Sequence, residues 1–173
     1  MESMSNLRIR WMIRADMQHV VQLEKRNSGR SHNINGIWSE EDLLEFLRQP
    51  NSIGMVAVSD SYTDHASIVG YMIYQLYPEY IHIFSLVVDP DYVHKGIGTA
   101  LMDRLKVKLS KYRREALEID VRESNLGACL WLKRLGFKAF QVVRDWYQQP
   151  CVEDAYKFRF TLQDKNGTHT DGK

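Results

Sequence analysis

The sequence predicts a single α/β domain with a mixed sheet, in the order β-α-α-β-β-β-α-β-α-β-β. Three observations favour this fold class. The chain has 173 residues, enough for one sizeable core but too few for two. Its hydrophobic content of 44% and charged content of 26% are typical of a globular protein. A β-branched run also leads through Gly96 and Gly98 straight into a helical pattern. The domain is predicted to span residues 7–161.

The N-terminal third carries one predicted strand and two predicted helices. Residues 7–13 alternate between apolar and polar side chains, which indicates a strand. Asp16 is placed to cap the first helix, and residues 27–36 are polar and predict a loop. Ser39 and Asp42 form a capping box at the start of the second helix, which Pro50 stops.

The remaining elements follow from period-two runs, helical spacing and turn residues. Short links at 59–64 and 77–79 favour antiparallel pairing of three consecutive strands. The predicted elements are strands at 53–58, 68–76 and 80–88, a helix at about 97–110, a strand at 116–121, a helix at 125–135 ended by Gly136, and strands at 137–144 and 154–161. Residues 162–173 are polar and charged and predict a disordered tail.

The glycine stretch between strand and helix indicates an anion site. A helix N-terminus has unpaired N–H groups and the positive end of the macrodipole, and both attract phosphate. Gly96 and Gly98 let a ligand approach the main chain, while His94 and Lys95 add side-chain donors. The expected ligand is therefore phosphorylated. Taken alone, Gly-x-Gly also suits a plain tight turn that caps a helix.

Two spaced motifs carry a family resemblance. Residues 88–92 followed by His94-Lys95-Gly96-Ile97-Gly98-Thr99-Ala100-Leu101 resemble the acetyl-CoA pyrophosphate motif of the GNAT N-acetyltransferase superfamily. Residues 117–125, then 128–132 and Leu135-Gly136-Phe137, are similar to the strand, Asn-led helix and ending that follow in that superfamily. The resemblance covers about 7–160 and is closest to bacterial ribosomal-protein-alanine N-acetyltransferases. Val93 stands where the family prefers Arg or Gln.

The resemblance implies the GNAT fold and acetyl-CoA as the acetyl donor. In that fold the strands ending near Val88 and Val121 splay apart and hold the pantetheine arm between them. The residues that the resemblance and the glycine stretch assign to the cofactor are Leu86, Val87, Val88, His94, Lys95, Gly96, Ile97, Gly98, Thr99 and Asn125. Asn125 also suits a plain N-cap, and both roles are compatible.

Asp120 and His82 are the candidate catalytic residues. Acetyl transfer to an amine needs a base, and Asp120 stands where the matched family members carry theirs, typically a Glu. His82 is expected on the neighbouring strand, sharing its face with Phe84, Leu86 and Val88. We expect the two side chains to form a water-bridged base pair. The alternatives are a solvated strand carboxylate and a core histidine. No Cys or Ser stands beside a base in either motif, which favours direct transfer.

Leu132 departs from the family pattern. The family places a Tyr at this position, close to the thioester sulfur, where it acts as general acid, and leucine cannot donate a proton. Three explanations are open. The thiolate leaves unassisted, another donor such as Tyr147 reaches in, or the protein binds the cofactor without transferring acetyl.

The expected acceptor is a primary amine, preferably the α-amine of a protein or peptide N-terminus. Trp38, Trp146 and Tyr147 fall at predicted loop positions that line the peptide groove in the resembling enzymes, although loop aromatics also serve as core lids. Glu24 is a candidate for binding the positively charged amine, or else a surface carboxylate. The alternatives are transfer to a small amine and an inactive CoA-binding module.

Composition argues against several other classes. The formal charge of +1 disfavours bulk nucleic acid or anionic membrane as partner. Cys129 and Cys151 lack metal-ligand spacing with the histidines, and Cys129 fits a small core residue. The N-terminus has no secretory pattern, and no run reaches membrane-span length, so a cytoplasmic protein is expected. Monomer and homodimer both remain open.

Overall fold

In the computed structural model, residues 7–27, 37–59 and 67–162 are described, and they form a seven-stranded sheet and four α-helices. The strands are β1 (Leu7–Trp11), β2 (Ser52–Ser59), β3 (Ser67–Leu76), β4 (Tyr80–Val88), β5 (Ala116–Arg122), β6 (Lys138–Tyr147) and β7 (Glu153–Thr161). The helices are α1 (Met17–Arg26), α2 (Glu40–Arg48), α3 (Ile97–Lys106) and α4 (Leu126–Arg134).

The strands lie in the order β1-β2-β3-β4-β5-β7-β6. Every neighbouring pair is antiparallel except β4 and β5, which run parallel. The predicted mixed α/β sheet and its element order are therefore confirmed. The predicted loop at 27–36, the turn at 59–64 and the disordered tail at 162–173 lie, apart from their first residues, outside the described residues.

A hydrophobic core covers each face of the sheet. On one face α3 and α4 pack on the strands, through buried residues such as Leu101, Leu105 and Ile119. Cys129 belongs to this core, as expected from its place on the helix. On the other face α1 and α2 cover β2, β3 and β4, through residues such as Leu43. The two layers position β4 and β5 between them.

Two helix starts show what short-range sequence signals predict well and badly. The capping box is confirmed, because Ser39 Oγ accepts the Asp42 N–H at 3.1 Å and Asp42 Oδ2 accepts the Ser39 N–H at 2.9 Å. Asp16 occupies the N-cap position of α1, as predicted, but its side chain makes no capping hydrogen bond. It ends a 3₁₀ turn, where its carboxylate pairs with the Arg10 guanidinium at 2.7 Å and accepts the Ile13 N–H at 2.8 Å. The nearby cation and the tight turn use the oxygens that a cap would need.

Two predicted boundaries differ from the structure by more than two residues. Helix α3 ends at Lys106, because Lys108 and Leu109 donate to carbonyls three residues back and tighten the chain into 3₁₀-type turns. Strand β6 continues beyond 144 to Tyr147, because its pairing with β7 resumes at Tyr147 and Glu153 after an irregular stretch. Trp146 and Tyr147 are thus strand residues and not the loop residues that were expected.

Strand β4 contains a bulge at Phe84. Its pairing with β3 shifts register between Ile73, which lies opposite Ser85, and Tyr74, which lies opposite Ile83. The extra residue reverses the alternation of faces after it. Leu86 and Val88 consequently pack with the α3 core. The prediction that they share a face with His82 is wrong for this reason.

Strands β4 and β5 separate after four paired residues. Tyr80 to Ile83 lie opposite Ala116 to Ile119, and the described register ends there. Beyond this point the strands diverge, as the resemblance implied. The β5-facing main-chain groups of residues 84–88 are left without strand partners at a gap in the sheet.

Candidate active site

A cavity of about 600 Å³ occupies the gap between β4 and β5 and extends over the start of α3 to α4. Nine of the ten residues predicted to bind a cofactor line it: Leu86, Val87, Val88, His94, Gly96, Ile97, Gly98, Thr99 and Asn125. Lys95 is the exception, since its ammonium lies over the Tyr92 ring, 4.6 Å from the centroid. The structure brings the two predicted motifs together at one site.

The N-terminus of α3 opens into this cavity. Gly96 precedes the helix with φ at +81°, a left-handed conformation that favours glycine. Among the described residues no side chain caps this helix start, so its first N–H groups remain available to a ligand. A Cβ at Gly98 would lie 3.3 Å from the Trp131 ring and 3.7 Å from Leu86. The missing side chain keeps the cavity open at this point.

Arg26 holds the segment between β4 and α3 in place. Its guanidinium donates to Asp89 Oδ2 and to Asp91 Oδ2, both at 2.6 Å. Asp89 Oδ1 also accepts the Asp91 N–H at 3.0 Å. The end of α1 is thereby tied to the turn that leads into the anion site. The Arg26 side chain is 47% exposed, so solvent screens the ion pair and it adds little stability. Its main effect is to fix the position of the turn.

Helix α4 supplies a wall that the sequence analysis missed. Four residues of this helix line the cavity at spacings of three, four and seven positions: Gly127, Leu130, Trp131 and Arg134. This spacing is typical of one helix face and is present in the sequence. The Trp131 indole N–H donates to Thr99 Oγ1 at 3.3 Å, which joins α4 to the start of α3. Asn125 has its expected N-cap role, since its Oδ1 accepts the Ala128 N–H at 3.2 Å.

His82 and Asp120 lie beside the gap, on the face of β4 and β5 that α3 does not cover. The His82 Nε2 atom is 3.9 Å from Asp120 Oδ2, longer than a direct hydrogen bond. The His82 side chain is 14% exposed and that of Asp120 is 11% exposed, so Asp120 is not the solvated strand carboxylate of the alternative interpretation. Burial lowers the pKa of His82 below 6.5, against the opposite influence of the Asp120 carboxylate. The imidazole is therefore neutral at pH 7.

A row of aromatic rings leads from Trp38 to His82. Trp38 packs edge-on against Phe46 at 5.5 Å between centroids, Phe46 contacts Phe84 at 4.9 Å, and Phe84 contacts the His82 ring at 4.7 Å. Trp38 precedes α2 in a loop, as predicted, but it is buried in the core on that side. Trp38 is thus two rings removed from His82, behind Phe46 and Phe84.

Tyr147 is fully buried next to Arg122. The Arg122 guanidinium lies 4.0 Å from the centroid of the Tyr147 ring. Within the described ranges the Tyr147 hydroxyl has no hydrogen-bond partner. Burial raises the pKa of Tyr147 well above 10, and the nearby Asp120 charge adds to this shift. The hydroxyl therefore stays protonated and is able to donate one hydrogen bond.

Glu24 is buried and not on the helix surface. Its carboxylate accepts hydrogen bonds from the Tyr71 hydroxyl and, at 3.3 Å, from Ser85 Oγ. Burial and this carboxylate raise the pKa of Tyr71 well above its ordinary value. In this structure the group faces Tyr71 and Ser85, directly behind the diverging part of β4. Its predicted contact with an acceptor amine stays a prediction.

Comparison with known proteins identifies the family. A sequence model of the acetyltransferase (GNAT) family matches residues 17–137, most of the described domain. The chain belongs to the GNAT family. Similar curated proteins include the Escherichia coli (strain K12) [ribosomal protein bS18]-alanine N-acetyltransferase, which is 32% identical over 85 residues. The match covers 49% of this chain and 57% of that relative, so it spans little more than half of the bacterial enzyme.

Other relatives and neighbours of this GNAT domain agree with that assignment. An N-alpha-acetyltransferase of Sulfurisphaera tokodaii is 40% identical over 76 residues, 43% of this chain and 44% of that protein. The crystal structure of the Escherichia coli ribosomal-protein-S18-alanine N-acetyltransferase superposes with a TM-score of 0.74 at 22% identity, covering 94% of this chain and 97% of that one. Arabidopsis thaliana NAA60 in complex with a bisubstrate analogue gives 0.77 at 16% identity, covering 91% and 99%. These structural likenesses confirm the GNAT fold.

The cavity of this GNAT domain fits the donor that the family implies. The open helix N-terminus and Arg134 suit phosphate groups. The unpaired edge of β4 suits an amide-containing arm, and Ile119 and Val121 offer apolar walls. In the part of the chain that the structure describes, no group of three His, Cys, Asp or Glu side chains is arranged to hold a metal ion. No helix there is long and apolar enough to cross a membrane.

Proposed function

We propose that this protein transfers acetyl from acetyl-CoA to a primary amine, most suitably the N-terminal α-amine of a protein, in the cytoplasm. The observation that carries this proposal is the split between β4 and β5. One side of the split faces the open N-terminus of α3, and the other faces His82 and Asp120. A donor and an acceptor can therefore approach the same gap from opposite sides.

The chain's own residues divide the work on the donor side. N–H groups at Gly98 and Thr99 bind the pyrophosphate at the start of α3. Main-chain groups of residues 86–88 hold the pantetheine arm, with Asn125 at its other side. When bound, acetyl-CoA supplies an acetyl thioester at the gap between the strands. Trp131 closes the cavity over Thr99 and keeps the start of α3 in position.

The acceptor side provides a place for the proton that the amine must lose. A water molecule about 2.8 Å from each partner can bridge the 3.9 Å between His82 Nε2 and Asp120 Oδ2. The neutral imidazole accepts the proton through this water as the amine nitrogen attacks the thioester carbon. The C–S bond would then break, and because a thiolate is only a weak base it could depart without a proton donor and take up a proton from solvent afterwards.

Support for an N-terminal α-amine as acceptor comes from the relatives. The bacterial relative is named for an alanine residue of a ribosomal protein, and the archaeal one for α-acetylation. Trp146 and Phe84 are only partly buried, and Phe84 packs against His82, so these two rings offer apolar surface for the first residues of a peptide. A small amine would make little use of this surface.

We expect Tyr147 to donate a hydrogen bond to the departing thiolate without transferring its proton. Its raised pKa makes full proton transfer to a thiolate unfavourable, while the protonated hydroxyl still donates. We expect Tyr147→Phe to lower kcat by about 2-fold to 10-fold, the value of one neutral hydrogen bond. The melting temperature should stay equal or rise, because a buried hydroxyl without a partner is removed. Tyr156→Phe, on β7, is the matched control. A 100-fold loss of kcat would instead identify Tyr147 as the general acid.

The function is tested by thiol release on adding acetyl-CoA. An alanine-led peptide should give peptide-dependent release, and mass spectrometry should place a single acetyl group on its α-amine. Release that depends on a polyamine, an amino acid or an aminoglycoside, and not on the peptide, would replace the protein acceptor with a small one.

Leu132 supports a second candidate, a CoA-binding module without transfer activity. Leu132 is fully buried and lines the cavity, at the position where the family's proton donor would stand. Calorimetry with CoA separates this candidate from the first. Tight binding combined with no release for any amine would favour the module and contradict the enzyme.

A further inference from the structure

Lys157 forms an ion pair with the proposed catalytic carboxylate. It lies directly opposite Asp120 in the antiparallel pairing of β5 with β7. Its ammonium is 3.3 Å from Asp120 Oδ2, the same oxygen that lies 3.9 Å from His82 Nε2. The Lys157 side chain is 21% exposed, and its ammonium lies 5.2 Å from the centroid of the Trp146 ring. One carboxylate oxygen thus faces two nitrogen groups.

A carboxylate beside a histidine creates a problem for a base. The negative charge favours the protonated imidazolium, which has no lone pair left to accept a proton from an amine. A positive charge on the far side of the carboxylate opposes this effect. Because both nitrogens contact the same oxygen, the Lys157 ammonium is no more than about 7 Å from His82. At this separation a partly buried charge still acts appreciably.

We propose that Lys157 is a positioning residue, which holds the Asp120 carboxylate between two strands and keeps the His82 imidazole unprotonated at neutral pH. This inference rests on the proposed acetyl transfer. In the native arrangement the Lys157 charge offsets part of the influence of the Asp120 charge on His82. The imidazole then remains a base, and Asp120 still fixes its orientation through the bridging water.

The other titratable groups around His82 are either paired or neutral. On β5 Glu118 carries a negative charge, but Arg159 of β7 pairs with it through two nitrogens. On β4 the nearby Tyr80 has a pKa raised by burial and by Glu118, so its hydroxyl is neutral. On β3 the residue opposite His82 is Gln75, which is uncharged. Burial lowers the pKa of His82 most, the Asp120 charge raises it, the Lys157 charge lowers it, and the Glu118 charge raises it slightly.

The decisive experiment is an NMR titration of the His82 imidazole in Lys157→Met, with His82→Gln used to assign its resonance among six histidines. We expect the midpoint to rise by about 0.5 to 1 pH unit, because one screened positive charge is lost. Lys157→Arg should restore the native midpoint. Lys133→Met removes an exposed lysine from α4 and should leave the midpoint unchanged. Lys157→Gln repeats the test if the methionine variant does not fold.

Activity gives an independent readout. The acid limb of kcat/KM against pH should move upward in Lys157→Met together with the titration, and return in Lys157→Arg. An unchanged His82 midpoint in both neutral variants would overturn the role of Lys157, whatever the activity. Absence of acetyl transfer by the native chain would instead overturn the proposed function. The titration distinguishes the two failures because it needs no turnover.

Discussion

Replacing His82 with alanine is expected to lower kcat/KM for acetyl transfer by about 100-fold to 10,000-fold, the usual contribution of a general base. His82 combines the features that this role needs, since it is neutral at pH 7, slightly exposed and 3.9 Å from Asp120. CoA binding should be unchanged, because His82 does not line the donor cavity. The measurement is kcat/KM with an alanine-led peptide, beside calorimetry with CoA.

The pH profile adds a signature that a purely structural role would not give. Transfer requires the neutral imidazole, so the rate should fall as the pH drops through the pKa of His82, which burial places below 6.5. Asp120→Asn removes the charge that favours protonation while it keeps the shape, and should move this limb further downward. The double variant should lose little more activity than His82→Ala, because both residues act on one proton. Profiles in His82→Ala and Asp120→Asn identical to the native one would refute the assignment.

Gly98→Val is expected to weaken CoA binding by about 100-fold or more while the fold is kept. A Cβ at this position already lies 3.3 Å from the Trp131 ring, tighter than an ordinary contact, and the two valine methyl groups extend further. They displace the indole or fill the space over the first turn of α3, where the pyrophosphate is proposed to bind. Valine is tolerated in a helix at least as well as glycine, so any fall in melting temperature should come only from the displaced Trp131 contact. Calorimetry with CoA measures the loss.

Gly96→Ala is the matched control, since it tests a different property of glycine. No described atom lies within 4 Å of a Cβ at Gly96, but its φ of +81° disfavours any side chain. This variant should lose about 1 to 2 kcal/mol of stability with a CoA affinity within 10-fold of native. If Gly98→Val binds CoA normally, the proposed donor site is wrong.

Features set by short stretches of chain could be predicted from the sequence. The capping box at Ser39, the glycine turn before α3 and the cap at Asn125 each depend on residues within a few positions of one another. The same holds for the donor site, because nine of its predicted residues come from two contiguous stretches and one cap. Local chemistry and the family resemblance agree there.

Features set by pairing between distant strands could not be predicted in this way. No local signal marks the bulge at Phe84, which arises from the register between β3 and β4. Lys157 lies 37 positions from Asp120 and meets it only through the pairing of β5 with β7. Tyr147 belongs to β6 because the pairing with β7 resumes there after an irregular stretch. The sequence pattern does not show that the pairing resumes.

Because of the single added residue at Phe84, the proposed function depends on the exact length of β4. Upstream of it the strand turns His82 toward the proposed acceptor, and downstream it turns Leu86 toward the proposed donor. Deleting one residue there would exchange the two surfaces, so that apolar side chains would meet the peptide and the donor would lose its wall. A substitution of one side chain in this strand should therefore disturb the site less than a change of its length by one residue.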